Sequence, residues 1–209
     1  MDQSLFSSFA IVALVAILGA VSPGPDFVIV TKHSLAFSRR TGLYTALGVS
    51  LGVFVHIAYC LIGIGFSIAE SIFLFNCIKY CGAAYLIYIG LKSLLAKATP
   101  ALKMNYEHIN HDLTPFQALK TGFLANVLNP KATMFFLSVF SQVISPDTKL
   151  IIQLAYALEI WLIILGWFCL LAFILSNRKL RSRIVHLQHY FEKGMGVLLV
   201  AFGLKIAFI

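Results

Sequence analysis

Among the ionisable residues within the long apolar stretches of this 209-residue chain, four stand out: Asp26, His56, Lys131 and Glu159. A charge at mid-bilayer depth costs at least ~2.5–3.5 kcal/mol on insertion scales, so such residues mark a binding or ion-handling role unless they partner one another. Asp26 closes the run Ser22-Pro23-Gly24-Pro25-Asp26, and Lys131 closes Asn126-x-x-Asn129-Pro130-Lys131. Ser22-Pro23 and Asn129-Pro130 both read as a polar N-cap followed by proline at N1, a helix start. Proline lacks an N–H and clashes with the carbonyl four residues back, and it drives the preceding residue out of the α region. The chain is therefore expected to stop and restart at both places. Carbonyls around Gly19 and Val21 lose their donors, and free N–H groups open after Asn129. Such groups recognise opposite charges: an anion at the N–H groups beside Lys131, a cation at the freed carbonyls beside Asp26.

Each of these residues also has a structural reading. Asp26 complements a helix N-terminus, but that is worth only about 0.3–1 kcal/mol and does not easily offset burial. Lys131 at a helix N-terminus opposes its own dipole, which asks for an anionic partner, either a ligand or Asp26 or Glu159. An internal salt bridge would account for Glu159 equally well. His56 shares a helical face with Gly48 and Gly52, a pair that resembles a small-xxx-small packing seam. A hydrogen-bonded packing histidine and a proton relay are both open for it. Asp26, Glu159 and His56 are the groups available to carry a coupling proton.

The elements that must position these groups follow from composition. The chain is 60% apolar and 11% charged, against roughly 45–50% and about 25% for an ordinary soluble domain. Too few charges remain to clothe a soluble core. Six segments reach or approach the ~20 apolar residues that a membrane-crossing helix needs. They are Leu5–Val30, Leu43–Ala69, Ile72–Ala96, Phe116–Ile144, Leu150–Leu175 and about Leu187–Ile209. The proline breaks fall in the first and the fourth, three spans apart. Corresponding breaks in two halves point to inverted repeats, and an odd number of spans per half inverts the second copy. The expected fold is therefore an all-α membrane protein of six helices in two inverted three-helix repeats, with helices 1 and 4 broken at prolines. It forms one transporter domain over residues 1–209, with repeats at about 1–96 and 118–209 and a polar linker at about 97–117.

Charge sets the expected orientation. The net charge is +8, but the basic residues form short clusters rather than the continuous face that nucleic acid requires; anionic lipid headgroups suit them better. Lys32, Arg39 and Arg40 lie on the first connection, and Lys92, Lys97, Lys103 and Lys120 on the third. Arg178, Lys179, Arg181, Arg183 and Lys193 lie on the fifth, so the odd connections hold twelve of the 16 Lys and Arg residues. By the positive-inside rule these connections are cytoplasmic and both termini periplasmic. Met1-Asp2-Gln3 lacks the basic start of a signal peptide, so the first apolar run is expected to be retained. Cys60, Cys77, Cys81 and Cys169 lie in apolar stretches without C-x-x-C spacing, as packing residues would. His108 and His111 in the linker have no neighbours that would complete a metal site.

The motifs together resemble a known family. The run Ser22-Pro23-Gly24-Pro25-Asp26-Phe27 with Gly42 and Gly48-x-x-x-Gly52 is similar to the lysine-exporter superfamily, most closely its homoserine/threonine exporter branch. Gly82-x-x-Tyr85-Leu86-x-x-x-Gly90, Gly122-Phe123-Leu124-x-Asn126-x-x-Asn129-Pro130-Lys131-Ala132, Glu159 and Gly203 fit the same pattern. Gly48, Gly52, Gly82 and Gly90 then read as helix-packing positions. The resemblance implies a secondary carrier of the bacterial inner membrane that expels amino acids, driven by proton exchange. Aspartate after Pro25 is similar to the neutral-amino-acid exporters, of threonine, homoserine or leucine. His56 is not part of the pattern. The substrate would be bound by Ser22, Pro23, Gly24, Pro25, Asp26, Asn126, Asn129, Pro130 and Lys131.

The main rival is an exporter of divalent or heavy metal cations. Such ions need several carboxylate, imidazole or thiolate ligands converging on one point, and Lys131 would stand in the way. A disulfide-transfer carrier needs cysteines at the breaks, and an enzyme needs a nucleophile and base within reach; neither pattern is present. No cofactor and no resident metal are expected. The oligomeric state stays open, a homodimer included.

Overall fold

The computed structural model describes residues 3–22, 24–70, 72–95, 111–143, 148–176, 190, 193–194, 196–205 and 207–208. Its described elements are helices. In chain order they are α1 (Gln3–Val21), α2 (Pro25–Ala36), α3 (Arg39–Glu70), α4 (Ile72–Leu95), α5 (Pro115–Val127), α6 (Pro130–Val143) and α7 (Leu150–Leu175). A shorter apolar helix, α8, covers Gly196–Lys205. Two of them, α3 over Arg39–Gly63 and α7, are each long and apolar enough to cross a membrane. At 1.5 Å per residue the 25 residues of that α3 stretch reach about 37 Å, beyond the ~30 Å hydrocarbon core. The pairs α1/α2 and α5/α6 qualify when each is taken together, bent by 57° and 60° at their breaks.

Both breaks have local causes. Pro25 opens α2, with Gly24 extended at the N-cap and offering no side-chain cap. The restart thus lies at Gly24-Pro25, two residues beyond the Ser22-Pro23 start expected from sequence. Pro25 also removes the donor that the carbonyl of Val21 would otherwise meet. At the second break the expected N-cap forms: Asn129 Oδ1 accepts the Lys131 N–H at 3.0 Å, and Pro130 stands first in α6. Helix α5 begins earlier than the expected linker boundary, because Thr114 and Gln117 form a reciprocal capping box ahead of Pro115. Part of the linker, including Pro100 and His108, lies outside the described residues, as does much of the stretch before α8.

Glycines let the helices approach closely. A Cβ at Gly48 would lie 2.0 Å from the Leu119 carbonyl oxygen, and one at Gly122 only 2.1 Å from that of Thr45, so α3 and α5 touch backbone to backbone. Gly82 lets α4 rest on Ser138 of α6, and Gly90 faces Gly196 and Val200 of α8. One apolar core joins α1, α2, α3, α6 and α7 through Val12, Val30, Val53, Phe136, Ile160 and Phe168. A second joins α1, α4, α6 and α8 through Val15, Leu86, Phe135 and Leu199. The opposite side of α7 leaves Leu158, Leu162, Leu170 and Phe173 about half exposed, a surface suited to lipid rather than water.

Candidate functional site

The two breaks meet. Asp26 is the second residue of α2, where the helix N-terminus favours a negative charge. Its Oδ2 accepts from Asn126 Nδ2 at 2.9 Å and from Asn129 Nδ2 at 3.0 Å. Asn126 in the last turn of α5 and Asn129 at the N-cap of α6 thus grip one carboxylate oxygen across the structure. The other oxygen, Oδ1, is buried and has no hydrogen-bond partner. An open acceptor of this kind is costly to bury unless a donor arrives.

Lys131 serves the other half-helix. Its Nζ donates to the Ser22 carbonyl at 2.9 Å and to Ser22 Oγ at 2.6 Å. It reaches there over Gly24, where a Cβ would lie 3.2 Å from Lys131 Cδ. The ammonium therefore sits at the C-terminal end of α1, the negative end of that helix dipole, which resolves its awkward place at the start of α6. Ser22 does not cap α2; its hydroxyl and carbonyl receive the lysine instead.

A small cavity of about 40 Å³ lies among these groups. Ser22, Gly24, Asp26, Asn126, Asn129 and Lys131 form its polar side; Phe27, Phe135, Phe136, Ile164 and Phe168 form an apolar wall, with Gly19 and Ala20 on α1. That volume holds a few ordered waters, not an amino acid, so a larger occupant requires the aromatic wall to move. Pro25 and Pro130 shape the breaks without lining the cavity, and Pro23 lies outside the described residues. Glu159 is not at the cavity: it sits on α7 ahead of Ile164, with Oε2 buried and unpartnered. His56 is fully buried and stands behind Asn126 rather than in the cavity.

Residues 17–208 match the family described as LysE type translocator. The chain belongs to the LysE type translocator family. Among curated members similar to it is the membrane protein YrhP of Bacillus subtilis, 34% identical over 209 residues, covering 97% of this chain and 98% of that one. The threonine efflux protein of Salmonella typhi is 30% identical over 201 residues (95% and 96%). The leucine efflux protein of Salmonella choleraesuis is 30% identical over 203 residues (92% and 91%). No solved structure matches the chain. Membership in this family makes the chain an integral membrane transporter, and its named relatives support amino-acid export.

Sequence reasoning missed the apolar wall. Phe135 and Phe136 follow Lys131 by one helical turn, so the periodicity of α6 could have placed them over the break. Phe168 and Ile164 come from α7, and no local signal ties them to the site.

Proposed function

We propose that this LysE type translocator exports neutral amino acids, with the substrate bound between the two broken helices and Asp26 as its central contact. The observation carrying the reading is the divided state of Asp26: Oδ2 held by two asparagine amides, Oδ1 buried and open. A substrate α-ammonium supplies the missing donor. Its carboxylate faces Lys131 and the N-terminal N–H groups of α6, and its side chain lies against Phe135, Phe136 and Phe168. An uncharged wall suits threonine, homoserine or leucine side chains better than a second cationic group, in keeping with the relatives named for threonine and leucine efflux. Among the described residues no three of His, Cys, Asp and Glu converge as metal ligands would.

The carrier works as an antiporter in this reading. A proton on Asp26 competes with the substrate ammonium for the same carboxylate, so each displaces the other, which couples their fluxes. Six spans in two inverted repeats serve as the frame. The packing supports a pseudo-two-fold relation: α1 packs on α7 as α5 packs on α3, α2 on α7 as α6 on α3, and α1 on α6 as α5 on α2. The protein sits in the bacterial cytoplasmic membrane with both termini in the periplasm.

Efflux of radiolabelled threonine, leucine and lysine from preloaded cells tests the reading. Expression should accelerate loss of threonine or leucine over lysine, and Asp26→Asn should abolish the acceleration. Faster efflux of none of them, with protection against metal salts instead, would overturn it.

A further inference from the structure

The break between α5 and α6 takes the regular helical donor from the Asn126 carbonyl. In a continuous helix the Asn126 C=O would accept from the N–H of residue 130, but residue 130 is proline and has none. The Asn129 N–H reaches this oxygen at 2.9 Å, which leaves its second lone pair. That position is filled from another helix: His56 Nε2 of α3 lies 3.0 Å from the Asn126 oxygen. A carbonyl only accepts, so Nε2 carries the proton and donates. The other ring nitrogen, Nδ1, meets the Tyr59 hydroxyl one turn along α3, and a neutral ring with its proton on Nε2 satisfies both contacts. The ring is locked further by stacking on Phe136, 3° from parallel with centroids 5.4 Å apart, and by the edge of Tyr59. His56 is wholly buried.

We propose that His56 is a positioning residue of the transport site, supplying through Nε2–H the donor that Pro130 withholds and so fixing Asn126 against Asp26. The inference rests on the reading of Asp26 as the substrate contact. Asn126 is the last polar residue of α5, and its side chain and carbonyl act as one unit: the carbonyl is held by α3, the amide by Asp26. If the carbonyl is released, the last turn of α5 is free to shift and the amide drifts from Oδ2. Tyr59 acts one step further out by keeping the ring in the right tautomer.

Two substitutions separate donor from bulk. His56→Phe keeps a flat ring on Phe136 and removes the N–H; His56→Gln loses the ring but places an amide N–H near the Nε2 position. Threonine and leucine export is measured as a function of internal concentration, with the amount of protein in the membrane determined alongside. His56→Phe should raise the half-saturating concentration at least tenfold, and His56→Gln should stay within threefold of the unchanged protein. In an Asn126→Ala background, His56→Phe should add less than twofold, because the residue acts through Asn126; a purely structural defect would multiply instead. If His56→Phe does not reach the membrane, His56→Met, also without an N–H, replaces it. Absence of both while the glutamine variant is present would overturn the assignment in favour of a folding role. Unchanged half-saturation in His56→Phe, or full multiplication on Asn126→Ala, would overturn it as well. Asp26→Asn runs in parallel: normal export there removes the site reading itself, whereas an inactive Asp26→Asn beside a normal His56→Phe removes only the role of His56.

Discussion

Replacing Gly52 with alanine should weaken substrate binding although Gly52 itself does not line the cavity. Gly52 lies on α3 opposite Asn126, and a Cβ built there would sit 2.6 Å from Asn126 Oδ1, 2.9 Å from its Cβ and 3.1 Å from its Cγ. Carbon atoms in contact prefer about 3.5–4.0 Å, so the asparagine must move. It cannot do so by rotating its tip alone, since its own Cβ is hit too and the side chain is only 2% exposed. The end of α5 must retreat, and Nδ2 leaves Asp26. A hydrogen bond to a charged group is worth about 1.5–3 kcal/mol, so its loss predicts roughly a 10- to 150-fold rise in half-saturating substrate concentration. Concentration-dependent efflux from loaded cells, normalised to membrane protein, measures this. Gly63→Ala on the same helix is the control, because a Cβ there meets nothing within 4 Å. Equal half-saturation for Gly52→Ala and Gly63→Ala would refute the link from Gly52 through Asn126 to Asp26.

Lys131→Met should lower export at least 100-fold at unchanged membrane abundance, with Lys131→Arg recovering part of it, read by efflux and immunoblot; near-normal export from Lys131→Met would reduce Lys131 to a cap on α1. Glu159→Gln should leave the half-saturating concentration within twofold, since Glu159 lies off the cavity, and a tenfold change would place it in the site after all. Cysteines introduced at Ser38 and Ser182 should resist an impermeant maleimide in intact cells, while one at Asp147 should label; the reverse pattern would invert the proposed orientation.

Much of this architecture is legible in the sequence because a membrane imposes few solutions. Long apolar runs force helices, and a proline within one removes a specific donor, so breaks near Ser22 and Asn129 follow from chemistry alone. The exact restart of α2 does not. Ser22 looked like the N-cap, but a lysine 109 residues away takes its hydroxyl and carbonyl, and Gly24 takes the cap. The contact of Lys131 with Ser22 is hidden for the same reason: its ammonium reaches a carbonyl and a hydroxyl at the end of α1, a pairing that nothing near Lys131 in the sequence signals. The motif marks Asn126 and Asn129 as substrate-binding residues, yet that both point at Asp26 depends on how α3 and α5 close through Gly48, Gly52 and Gly122. The contact of His56 with Asn126 spans 70 residues and could not be read from α3 alone.

The most direct test of the account is substrate counterflow in proteoliposomes containing the unchanged protein or Asp26→Asn. Vesicles are loaded with excess unlabelled leucine or threonine and diluted into a trace of the labelled amino acid at equal pH on both sides. The unchanged protein should accumulate label transiently, and Asp26→Asn, equally reconstituted, should accumulate none above empty vesicles. Counterflow through Asp26→Asn at the rate of the unchanged protein would contradict the assignment of Asp26 as the group that holds the substrate.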